Sequence, residues 1–299
     1  MAIAGAAATA DFTKICPLVS RRTHSHDYAQ TETRSVRVKS VTFGGKHSVV
    51  IAGPCSVESY EQTMELAHVV KQCGGDMLRG GAFKPRTSPH DFQGLGIEGL
   101  KILHEASRQT GLPIVTEVMD PRLVEKVGEY ADMLQIGSRN MQNYPLLVEV
   151  GRYGKPVLLK RGMAASLCEW LGAAEYIAQE GNLNIVLCER GIKAYPAGEY
   201  CRFILDLNVL SALKQETFLP VIVDPSHATG VSTMVEPASR AGIESGADGL
   251  LIEIASDRED AVKPKCDAAQ AIGKVTLSRI VDFVRNRQVA LEEVKAHAV

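Results

Sequence analysis

The chain reads as an α/β protein, a (β/α)8 TIM barrel with a short N-terminal β-hairpin, on three observations. Eight short β-rich runs recur at intervals averaging about 29 residues, the length of one strand-plus-helix unit. The runs are apolar along most of their length, as expected for parallel strands covered on both faces. Segments with apolar residues at i, i+3 and i+4 lie between them, "SYEQTMELAHVVKQCG" being one. Ahead of the barrel, "SVRVKSVTF" (35–43) alternates apolar and polar positions and is followed by "GG", which predicts the hairpin. The eight runs are "SVVIAG" (48–53), "DMLRGG" (76–81), "PIVTEV" (113–118), "DMLQIG" (132–137), "PVLLKR" (156–161), "NIVLCER" (184–190), "PVIVDP" (220–225) and "GLLIEI" (249–254). A doubly wound sheet is the rival architecture, because strand count alone does not prove closure.

Composition narrows the function classes. The 299 residues carry a net charge of −2 and are 45% hydrophobic and 23% charged. No bulk field favours nucleic acid or an anionic membrane. No apolar run approaches the ~20 residues of a membrane span. Residues 1–33, rich in Ala, Thr and Ser, are expected to be a mobile extension; they lack the pattern of a signal peptide. Residues 34–290 form the catalytic barrel in this reading, and 291–299 a C-terminal tail. Seven cysteines are scattered with no C-x-x-C pair, which points to free thiols in a reducing compartment and a cytoplasmic protein.

Barrel enzymes build their sites from residues at the C-terminal ends of strands. Here those ends hold Arg79, Lys84, Arg86, Arg139, Lys160, Arg161, Arg190 and Lys193. Any one of them alone reads as a solvated loop cation. Gathered on one rim of a nearly neutral protein they would repel one another unless an anion filled the site, and Arg forks and Lys ammoniums suit phosphates and carboxylates.

The same rim offers Cys55, His227 and Glu253 from the first, seventh and eighth strands, which closure makes neighbours. Sulfur beside nitrogen and oxygen ligands suits a divalent ion such as Mn²⁺, Fe²⁺, Co²⁺ or Zn²⁺. A buried structural Cys and a hydrogen-bonded His remain the alternative. "GLGIEG" (94–99) fits G-x-G-x-x-G but follows no strand, so it reads as a loop entering a helix.

Taken in order, "AGPCSVES", "GGAFKPRTSP", "FQGLG", "QIGSRN", "LLKRG", "CERGI" and "DPSHATG" resemble 3-deoxy-D-arabino-heptulosonate 7-phosphate (DAHP) synthases of the compact bacterial class related to 3-deoxy-D-manno-octulosonate 8-phosphate (KDO8P) synthase. The resemblance spans about residues 34 to 285. It implies condensation of phosphoenolpyruvate with an aldose phosphate and release of inorganic phosphate by C–O cleavage. By that resemblance Arg79, Lys84, Arg139, Lys160 and Arg190 hold phosphoenolpyruvate, and Lys84 serves as an acid or base. Arg86, Thr87 and Ser88 hold the aldose phosphate with Arg202. Cys55, His227, Glu253 and Asp267 ligate a divalent metal, Mn²⁺ first, and Asp224 orients the neighbouring cations or the metal shell. The implied partners are phosphoenolpyruvate and erythrose 4-phosphate, with a homo-oligomeric assembly, dimer or tetramer.

Three departures accompany the resemblance. The chain shows no room for the N-terminal regulatory domain many members carry, so direct feedback by aromatic amino acids is expected to be absent or weak. Where the family shows a stretch like "TRNTLD", this chain has "YCRFILD"; Phe203 and Ile204 are expected to point into barrel–helix packing. The loop "ASDREDAVKPKCDAAQ" is a few residues longer than usual. "KPRTSP" favours erythrose 4-phosphate over a pentose phosphate. A paralogue with a different acceptor is the second reading, and a barrel that has lost catalysis the third.

Overall fold

The computed structural model describes residues 11–25, 27, 32–193 and 202–297, with side chains described through residue 287. A two-stranded antiparallel hairpin comes first, β1 (Val36–Val38) with β2 (Val41–Phe43). Eight parallel strands then close a barrel: β3 (Val49–Gly53), β4 (Met77–Arg79), β5 (Ile114–Glu117), β6 (Met133–Ile136), β7 (Val157–Lys160), β8 (Ile185–Glu189), β9 (Val221–Val223) and β10 (Gly249–Glu253). β10 pairs with β3 over five residues and with β9 at Leu250–Val223, so the sheet has no free edge. All eight runs read from the sequence are strands, and closure excludes the doubly wound alternative.

The covering helices are α2 (Tyr60–Gln72), α3 (Ile97–Thr110), α4 (Val124–Tyr130), α5 (Tyr144–Tyr153), α6 (Leu167–Gln179), α7 (Asn208–Glu216), the short α8 (Pro225–Thr229), α9 (Ser232–Glu244) and α10 (Lys274–His297); a single turn, α1 (Phe12–Ile15), precedes the hairpin. Their starts follow local chemistry. Ser166 and Glu169 form a reciprocal capping box on α6, and Ser59 and Asn143 cap α2 and α5 with their side chains. α10 extends over residues read as a tail, since "VTLSRIVDFVRNRQVALEEV" contains neither Pro nor Gly to stop it.

Strand side chains alternate between faces with a period of two, and this divides the core in two. Outward positions such as Val50, Leu78, Leu134 and Leu159 pack against the helices. Inward positions Ile51, Met77, Val115, Met133, Leu158, Val186, Ile222 and Leu251 fill the lower barrel, and Val36, Val38 and Phe43 of the hairpin close it from below.

Part of the expected mobile extension is packed. Phe12, Cys16 and Val19, at i, i+4 and i+7, are buried in the outer core. The Glu175 carboxylate of α6 accepts hydrogen bonds from the backbone N–H groups of Leu18 (2.9 Å) and Val19 (3.1 Å), and Thr217 Oγ1 donates to Val19 O at 2.6 Å. The physical reason is ordinary: three apolar side chains on one face gain more by burial than the segment loses in freedom.

Candidate active site

The inward positions change character two residues further along each strand. Met77 is followed by Arg79, Val115 by Glu117, Met133 by Gln135, Leu158 by Lys160, Cys188 by Arg190, Ile222 by Asp224 and Leu251 by Glu253. All seven polar side chains are buried. On β3 the corresponding residue is Gly53, where a side chain would overlap the backbone carbonyl of Arg79; the strand's contribution comes two residues later, from Cys55.

At the first, seventh and eighth strands the polar layer holds a compact donor set. One ligand atom each from Cys55, His227, Glu253 and Asp267 lie within 4.8 Å of one another. His227 Nε2 is 3.4 Å from Glu253 Oε1, and Cys55 Sγ is 3.5 Å from Asp267 Oδ2. Asp267 has φ of +47°, a left-handed conformation that Asp tolerates, at the loop position that points its carboxylate inward. Outer contacts aim the set: His227 Nδ1 lies 2.7 Å from Asp224 Oδ2, Gln270 donates to Glu253 Oε2 at 2.5 Å, and Arg202 donates to Asp267 Oδ1 at 2.9 Å. One thiol, one imidazole and two carboxylates fit a borderline divalent cation.

Electrostatics agree with that donor set. Burial pushes the His227 imidazole below its ordinary value, toward the neutral form that ligates metals. Burial works against the charge on Glu253, but the neighbouring cations Arg79 and Lys84 help to outweigh it and hold the carboxyl down at about 2. Asp224 is likewise held well below the carboxylate range, burial being overcome by His227 and Lys160. The neighbouring Cys266 thiol, with burial, raises the Cys55 thiol. A metal cation at the site would reverse that, since a coordinated thiol deprotonates.

The rest of the rim surrounds a cavity of about 190 Å³ lined by Arg79, Lys84, Arg86, Thr87, Glu117, Gln135, Arg139, Lys160, Arg190, Arg202, Phe203, His227 and Asp267, among others. The cations differ in their partners. Arg79 is ion-paired with Glu253, and Lys160 Nζ is 2.5 Å from Asp224 Oδ2. Lys84 Nζ donates to Cys55 O and Cys55 Sγ, both at 3.1 Å; Cys55 and Glu253 outweigh burial and raise its pKa, which favours a proton-donating ammonium over a base.

Several sequence expectations are refined. Asp224 is fully buried beneath the cavity, touching Lys160 and His227. Ser88 is turned into its own loop, where its hydroxyl accepts from His90 N, and it is not among the lining residues. Arg161 is turned away to Glu189 (3.0 Å) and Asp206 (2.9 Å). Arg202 reaches Asp267 as well as the cavity. Phe203 does not enter barrel–helix packing: it lines the cavity, 4.2 Å from the Arg190 guanidinium by its ring centroid, while Ile204 is 48% exposed. The reason is that Phe203 N and Arg202 N bond to Ala228 O and Thr229 O, tying this stretch to the segment that bears His227. Glu117 and Gln135, 3.3 Å apart, also line the cavity; a reading that looks only for cations and metal ligands at the strand ends does not include them, although each sits at the end of a predicted strand. Gly137 makes room for Glu117, whose carboxylate a Cβ there would overlap.

A closed (β/α)8 barrel whose C-terminal rim joins a four-donor cluster able to hold a metal ion to a cation-lined cavity defines a class of barrel enzymes that handle phosphorylated anions. Within that class the chain belongs to the DAHP synthetase I family, whose model matches residues 27–293. It is 46% identical over 274 residues to phospho-2-dehydro-3-deoxyheptonate aldolase of Thermotoga maritima, covering 92% of this chain and 78% of that protein. It is 34% identical over 257 residues to 2-dehydro-3-deoxyphosphooctonate aldolase of Syntrophotalea carbinolica, covering 80% and 90%. The crystal structure of the Thermotoga maritima DAHP synthase superposes with a TM-score of 0.84 at 43% identity, covering 92% of this chain and 77% of that one. A truncated form of that organism's enzyme gives 0.81 at 39% identity, covering 93% and 98%.

Proposed function

We infer that this chain is a metal-dependent DAHP synthase that condenses phosphoenolpyruvate with erythrose 4-phosphate, giving DAHP and inorganic phosphate at the entry to the shikimate pathway. The observation that supports this most is the joining of the Cys55–His227–Glu253–Asp267 cluster to a cavity lined by Lys84, Arg139, Lys160 and Arg190.

In this reading C3 of phosphoenolpyruvate forms a bond to the aldehyde carbon, water adds at C2, and the C2–O bond to phosphate breaks. Arg139, Lys160 and Arg190 hold the phosphate and carboxylate and stabilise charge developing at C2. Lys84, kept protonated, supplies a proton near the reacting carbons. Arg86 and Thr87 at the cavity mouth bind the aldose phosphate. Asp224 fixes Lys160 and the His227 ring together, and Arg79 and Gln270 fix Glu253. When bound, a divalent ion (Mn²⁺, with Fe²⁺, Co²⁺ or Zn²⁺ as alternatives) supplies Lewis acidity toward the aldehyde or orients a water.

A second reading, a synthase with another aldose acceptor, draws on Phe203, an apolar side chain at the cavity wall. The test for both is phosphate release from phosphoenolpyruvate with Mn²⁺ and a panel of aldose phosphates. Erythrose 4-phosphate is expected to exceed arabinose 5-phosphate and ribose 5-phosphate in kcat/KM; preference for a pentose phosphate selects the second reading.

A further inference from the structure

Arg190 is the buried rim cation whose environment differs most from its neighbours. It is 6% exposed, and among the described residues its Nη1 has no hydrogen-bond partner. Arg79, Lys160 and Arg161 each face a carboxylate that compensates their charge. Arg190 instead lies over the ring of Phe203, 4.2 Å from its centroid. Arg202, bonded to Asp267 on the metal-ligand side, lies 5.6 Å from the same centroid.

The ring itself is well fixed. Phe203 N donates to Ala228 O at 2.8 Å, and Ile192 and Ile204 exchange backbone hydrogen bonds of 2.9 and 3.0 Å. Gly191 leaves the space that Phe203 fills, since a side chain there would meet the Phe203 Cβ at 2.6 Å.

We propose that Phe203 is a positioning residue for substrate binding: its ring holds the Arg190 guanidinium in place without neutralising it, leaving a full positive charge directed at the anionic group of the substrate. A carboxylate in that position would compete with the substrate for Arg190. An aliphatic side chain would fill the space but offer no negative ring face. The attraction of a guanidinium to a ring face is strongest where water is excluded, as at this cavity wall. The proposal rests on the cavity being the phosphoenolpyruvate site.

The test compares Phe203→Leu and Phe203→Trp with the parent protein, loaded with Mn²⁺, by calorimetric titration with phosphoenolpyruvate and separately with inorganic phosphate. Steady-state kinetics and a thermal melt accompany each. Phe203→Leu is expected to raise the Kd for phosphoenolpyruvate about 5- to 30-fold, the equivalent of ~1–2 kcal/mol. KM should follow Kd, with kcat and the melting temperature little changed. Phe203→Trp should recover most of the affinity, because an indole face attracts a guanidinium at least as well. If Phe203→Leu binds both ligands as the parent does, the ring only packs and the proposal is wrong. If the parent neither turns over nor binds phosphoenolpyruvate, yet Phe203→Leu weakens phosphate binding, the substrate reading fails and the role of Phe203 stands.

Discussion

The lower and upper halves of the barrel interior are built from the same strands, two residues apart, and obey opposite rules. In the lower half Ile51, Met77, Val115, Met133, Leu158 and Leu251 are packed together, and Phe43 of the hairpin seals them. In the upper half Arg79, Glu117, Gln135, Lys160, Arg190, Asp224 and Glu253 are equally buried but polar. Burying charge is costly unless it is paired. The upper layer is tolerable because most of its charges are paired across it, as in Lys160–Asp224 and Arg79–Glu253. The lower half therefore carries stability, while the upper half holds an electrostatic arrangement built for an anionic ligand.

Substitutions that separate the two quantities break or sharpen this contrast. The largest effect should come from Arg139→Ala. This side chain is exposed on the rim and lines the cavity, so kcat/KM should fall by about 10²–10³-fold, the usual result of removing one charge-stabilising group. The melting temperature should barely move, as for surface substitutions generally. A melt shifted by many degrees would blur the division between the halves.

Met133→Ala should do the reverse. The side chain is fully buried in the lower layer, and its loss should cost about 2–5 kcal/mol in a denaturant titration. At a temperature where the variant stays folded, kcat/KM should match the parent. Phe43→Ala sharpens the point, since the plug contributes no atom to the cavity lining; it should cost about 3–5 kcal/mol with activity intact.

A smaller effect concerns thiol chemistry. Cys16 is buried and its thiol is pushed up to about 12, chiefly by desolvation, whereas Cys168 is half-buried on α6. Brief treatment of the native protein with an alkylating reagent at pH 8, mapped by mass spectrometry, should label Cys168 well before Cys16. Early labelling of Cys16 would mean that the segment around α1 opens readily from the barrel.

Much of this was legible in the sequence. The eight strands announce themselves as apolar runs, and the rim cations follow from asking what stands at each strand end. Glu117 and Gln135 could have been found by the same step, by moving two residues beyond each inward apolar position. Other features were hidden because they depend on contacts between distant residues. Glu175 meets Leu18 across 157 positions, and Phe203 is drawn to the cavity by backbone bonds to Ala228. Neither follows from local periodicity or propensity, so a buried aromatic at Phe203 read as ordinary core.

The central claim is that the upper layer of the barrel assembles a metal centre from four residues far apart in the chain and that activity depends on it. The direct measurement is to strip the protein with a chelator, titrate Mn²⁺ back calorimetrically, and follow phosphate release from phosphoenolpyruvate and erythrose 4-phosphate at each point. One ion should bind per chain, with activity rising in step, and both Cys55→Ser and Asp267→Ala should weaken that binding by at least ~10–100-fold. Full activity in the stripped protein, or Mn²⁺ binding unchanged in both variants, would contradict the account.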